Sequence, residues 1–78
     1  MNPKEQAQFL IILGFIAGHG MDVDIQNIFR TLNAKRKKSD VEKGKLLEII
    51  EYAKDKGIHE LFSHADIQML ESAIKFEI

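Results

Sequence analysis

The chain has 78 residues, 45% of them apolar and 29% charged, with a formal net charge of −1 and no cysteine. That length holds one domain with a thin core, and the near-neutral balance excludes a generic polyanion binder. Without cysteine there is no disulfide staple, thiolate zinc site or thiol nucleophile, so a reducing cytoplasm is the expected setting.

The first predicted element spans about residues 3–17. Asn2 is placed to cap it, Pro3 fits the first helical position, and Glu5 completes a capping box. With Glu5, Gln6 and Gln8 before the apolar run, the segment reads as a helix start and not as a cleaved leader. Of the eight residues from Phe9 to Ile16, seven are large and apolar, and the eighth is Gly14. A helix of this composition has no polar side, yet the run is far short of the roughly 20 residues that span a bilayer. Gly18 and Gly20 are placed to end it.

A second helix is predicted over about 23–36, capped by Asp22. Its apolar residues Ile25, Ile28, Phe29 and Leu32 follow the i, i+3, i+4, i+7 spacing of one buried stripe. Ser39 and Glu42 form a capping box that opens a third helix over about 40–56, with Leu46, Ile49, Ile50 and Ala53 as its stripe. Gly57 serves as a left-handed stop with Ile58 folding back behind it. After a short link, Ser63 and Asp66 open a fourth helix over about 64–77, with Ile67, Leu70, Ile74 and Ile78 along one side. No segment alternates as a strand does. The expected fold is therefore all-α: a compact bundle of four short helices in a single domain, 1–78, with a splayed arrangement of the same helices as the alternative. Its core should include Ile28, Phe29, Leu32, Leu46, Ile50, Leu70 and Ile74.

The candidate chemistry is sparse. His59 and His64 are five apart across a helix break, and His19 lies in a glycine turn, so none has the i, i+4 spacing of helical metal ligands. The carboxylates are scattered over wet faces, where paired acid–base work has no pocket. Asp22-x-Asp24 starts like a calcium loop but lacks the central glycine and terminal Glu. No cofactor, metal, small-molecule substrate or catalytic activity is expected.

Charge patterning is more informative. Arg30, Lys35, Arg36, Lys37, Lys38, Lys43 and Lys45 place seven of the eleven cations in sixteen residues, against only Asp40 and Glu42. Cations after a helix stabilise its negative end, which accounts for two or three of them. The excess fits phosphate backbone or an acidic protein surface. A DNA-reading helix-turn-helix around Gly57 fits poorly, because Lys56, Ser63 and Asp66 stand where that motif requires apolar residues.

The fully apolar first helix points to a partner. Three single-striped helices cover part of its girth and leave a flank of Ala7, Leu10, Gly14, Ala17 and Gly18. Small residues there let another backbone come close. The expected function is that of a small non-enzymatic binding module, a regulator, adaptor or inhibitor, that docks on a larger protein or forms a homodimer. The alternative is a nucleic-acid-binding regulator using the basic 30–45 segment and the polar face of helix 2. Neither involves a membrane.

Overall fold

The computed structural model describes residues 1–76. Within them four α-helices follow one another without any strand: α1 (Pro3–Gly18), α2 (Ile25–Asn33), α3 (Asp40–Asp55) and α4 (His64–Lys75), with a 3-10 turn at Ile58–Glu60 between the last two. The all-α bundle expected from the sequence is the architecture found.

The caps explain why the helices start where they do. Asn2 accepts the Glu5 backbone N–H at 2.8 Å while the Glu5 carboxylate accepts the Asn2 N–H at 3.0 Å. Ser39 and Glu42 repeat the arrangement at α3, and Ser63 Oγ accepts the Asp66 N–H at α4. Each bond satisfies a backbone donor that a helix start leaves without an internal partner. At the far end of α1, Gly20 turns left-handed at φ +91°. That turn lets the Met21 N–H reach back to Ile16 O at 3.0 Å and the Gly20 N–H to Ala17 O at 3.2 Å. Gly57, at φ +95°, ends α3 in the same conformation.

Among the described residues fourteen apolar side chains form one buried cluster. From α1 it takes Phe9, Ile12, Leu13 and Ile16; from α3, Leu46, Ile49, Ile50 and Ala53; from α4, Ile67, Leu70 and Ile74. The two 16-residue helices α1 and α3 make the central pair. α4 packs on α3, tied to it by Lys54 Nζ, which lies 3.0 Å from Glu51 and 3.4 Å from Glu71. α2 packs on α1, and the Gln6 amide donates to Leu32 O at 3.1 Å, so α2 runs back along its neighbour.

Two expectations need correcting. The second helix is shorter than 23–36. Its cap is Asp24 and not Asp22, because Asp24 Oδ1 accepts the Asn27 N–H at 3.1 Å, and Ala34 ends it in an extended conformation. Phe29 is also not core. It is 46% exposed, and Ile25 is 42% exposed. The reason is the length and position of α2: nine residues lying mainly against one neighbour can bury a narrow row, and Ile28 with Leu32 fill it. Ile78, assigned to the helix 4 stripe, and the end of that helix at 77 lie outside the described residues.

Candidate docking face

Because α1 is apolar all round, packing alone selects the side that faces inward. Phe9, Ile12, Leu13 and Ile16 are turned into the core. At 100° per residue the opposite side then carries Pro3, Ala7, Leu10, Ile11, Gly14, Ala17 and Gly18. All seven are exposed. The flank anticipated from the sequence, Ala7, Leu10, Gly14, Ala17 and Gly18, is thus uncovered by the rest of the described chain.

Two large side chains stand out of this strip, Leu10 at 38% exposure and Ile11 at 52%. Between them and beyond them the surface is low. A Cβ placed on Gly14 or on Gly18 would meet nothing within 4 Å. Glycine inside a helix costs roughly 0.5–1 kcal/mol relative to alanine. Nothing in the fold crowds Gly14, and its φ is not positive.

α2 extends the face. A groove between the two helices is lined by Pro3, Gln6, Ala7, Leu10, Phe29, Leu32 and Asn33. A second groove, which shares Phe29, is lined by Ile25, Gln26, Phe29 and Arg30. Leu10, Ile11, Ile25 and Phe29 together leave on the order of 350 Å² of apolar surface in water, taking about 200 Å² for a large side chain. That matches the largest patch of an ordinary monomer, about 300–600 Å², on a chain whose whole surface is 4991 Å². Charges border the face, Lys4 at one end of the α1 strip, Arg30 beside Phe29 and Asp24 at the cap of α2 next to Ile25. Phe29, Ile25 and Ile11 were missing from the sequence-based flank. Phe29 and Ile25 have the spacing of a buried stripe, so no local signal marks them as surface.

The basic segment is divided by the fold. Arg36 lies against Glu42 with both terminal guanidinium nitrogens, Nη1 to Oε1 at 2.8 Å and Nη2 to Oε2 at 2.7 Å. This fork, with the Ser39 backbone N–H on the same carboxylate, holds the Glu42 carboxyl down to about 2. Lys38 is buried. Lys43 is half-buried, and Lys45 stands away from the loop, in a pocket with Asp22, Asp24 and Glu48. Arg30, Lys35 and Lys37 remain exposed around the end of α2.

The histidines are placed differently from their sequence spacing. The 3-10 turn stacks His59 on His64, with ring centroids 3.8 Å apart and planes tilted by 24°. His59 Nδ1 is buried without a hydrogen-bond partner among the described residues. His19 packs on Phe15, and its carbonyl accepts the Tyr52 hydroxyl at 2.9 Å, which pins the end of α1 to α3. Among the described residues no three potential metal ligands converge, and no helix is long and apolar enough to cross a membrane. Compared with protein-family models, with curated proteins and with solved structures, the chain matches none.

Proposed function

We propose that the chain is a non-enzymatic docking module that binds protein through the outer side of α1 and the exposed half of α2. The observation that carries this reading is an apolar face on which Leu10, Ile11, Ile25 and Phe29 stay between 38% and 52% exposed, with Phe29 sharing one groove with Leu10 and another with Ile25. An apolar centre with charge kept to its margin is the anatomy of a protein interface. Arg30 beside Phe29 supplies such a margin, and arginine is enriched at interfaces. The remaining basic residues are read here as solubilising and structural. Two of the seven are engaged within the fold, Arg36 by Glu42 and Lys38 by burial. A regulator, adaptor or inhibitor acting in the cytoplasm fits this reading, and the absence of cysteine supports that setting.

A photo-crosslinking amino acid at Phe29 tests it inside cells, with the same group at Val41 as the control. Val41 is 72% exposed, stands on α3 and lines neither groove of the face. Protein adducts at position 29 but not at 41 are expected. Equal labelling at the two positions, or none at 29, would refute the reading.

A further inference from the structure

We infer that the occupant of this face is a second copy of the same chain, packed with its α1 antiparallel to the first and with Leu10 of each copy seated over Gly14 of the other. The inference rests on the docking reading and names its partner.

The spacing within the strip is the starting point. Ala7, Leu10, Gly14 and Ala17 are separated by three, four and three residues, the a/d spacing along which two helices pack. In the folded chain this row faces solvent. When two such rows meet antiparallel about a two-fold axis level with residue 12, position 10 falls opposite 14 and position 7 opposite 17. The large Leu10 side chain meets the open notch at Gly14, and Ala7 meets Ala17. Each Leu10–Gly14 layer therefore joins a projection to a space, the two-fold repeats that fit on the other side, and the outer Ala7–Ala17 layers set small residue against small. A parallel pairing would set Leu10 against Leu10 and leave two glycines facing across a gap. An unrelated surface has no reason to match this order of residues, whereas the strip matches itself in reverse.

Charge agrees with the same direction. The last turn of α1 carries no basic residue, so its negative end lacks a cation of its own. In the antiparallel pair Lys4 of each copy lies near that end of the other. In the parallel pair Lys4 would lie near Lys4. The two-fold also keeps each side of the helix on the same side of the pair. Phe29 and Ile25 of both copies consequently gather along one edge of the seam, and Ile11 of both along the other. With these and the small residues covered, each copy buries on the order of 500 Å², so the total is close to the 1,000 Å² a specific interface needs. An area at that lower limit belongs to a weak, concentration-dependent dimer.

Sedimentation equilibrium up to about 1 mM chain reads the association. Wild type should rise from 8.9 kDa toward twice that mass. Gly14→Glu should stay at 8.9 kDa while keeping its helical circular dichroism, because position 14 is open in the monomer and glutamate favours helix. Val41→Glu should behave as wild type. The register is read with introduced cysteines, which have no native thiol to compete with. Leu10→Cys mixed with Gly14→Cys should form a disulfide-linked pair at least ten times faster than either variant alone. The inference is overturned if wild type remains at 8.9 kDa throughout, if Gly14→Glu associates as wild type does, or if Leu10→Cys alone links as fast as the mixture. A monomeric wild type that still crosslinks to another protein from position 29 would overturn this pairing and leave the docking reading standing.

Discussion

Gly14→Ala separates what the fold requires from what the face requires. In the isolated chain Gly14 lies inside α1, its φ is not positive, and an added Cβ meets nothing within 4 Å. The methyl group neither strains the backbone nor strikes a neighbour, so the substitution should act through helix propensity and the entropy of the unfolded chain alone. Those terms favour alanine by about 0.5–1 kcal/mol. For a domain of this size 1 kcal/mol moves the melting temperature by about 4–8 °C, so Gly14→Ala should melt roughly 2–8 °C above wild type. The assay is thermal and urea unfolding followed by circular dichroism at low micromolar chain, where the dimer is dissociated, with an unchanged urea m-value. In the dimer the same methyl group fills the notch that receives Leu10, so association should weaken several-fold even as the monomer gains. Gly57→Ala is the internal control. At φ +95° an alanine is strained, and it should cost about 1–2 kcal/mol. A Gly14→Ala chain no more stable than wild type would refute the view that nothing in the monomer needs this glycine. One that is more stable yet associates equally well would refute the notch.

Other expectations follow from burial and charge. Phe9→Ala should cost about 3–5 kcal/mol and leave this small domain largely unfolded in a urea titration, since Phe9 is fully buried, whereas Phe29→Ala should cost about 1 kcal/mol or less. Similar losses at the two positions would contradict the placement of α2. Glu42 titrates at about 2 when folded, below its ordinary 4.5, so its contribution is present above pH 4.5 and is lost as pH falls from there toward 2. Stability measured across that window should fall less steeply in Glu42→Gln than in wild type, and parallel curves would show that the Arg36–Glu42 fork contributes nothing.

The parts of this protein legible in its sequence are those set by contacts three or four residues apart. Asn2 with Glu5, Ser39 with Glu42 and Ser63 with Asp66 cap their helices from within a single turn, so spacing alone places them. Gly20 and Gly57 take the left-handed turns that only glycine adopts freely. The buried rows of α3 and α4 were equally readable, because Leu46, Ile49, Ile50 and Ala53, and Ile67, Leu70 and Ile74, keep helical spacing along one side, while Val41 and Met69 stand exposed off those rows.

Contacts between elements were not legible. Arg36 and Glu42 read as members of a charge count until the turn between α2 and α3 brings them to 2.7 Å. His59 and His64 stack only because a 3-10 turn folds the link between their helices. The stripe of α2 looked as regular as those of α3 and α4, yet only half of it is buried, because covering an apolar row takes neighbours on both sides and α2 lies mainly against α1. For α1 the sequence by itself determined that a helix without a polar side must leave some apolar surface uncovered in so small a chain. Only the tertiary structure decided which surface that is. A uniformly apolar helix has no preferred rotation about its own axis, so the positions of α2, α3 and α4 around it turned Phe9, Ile12, Leu13 and Ile16 inward and left Leu10, Ile11 and Gly14 facing water.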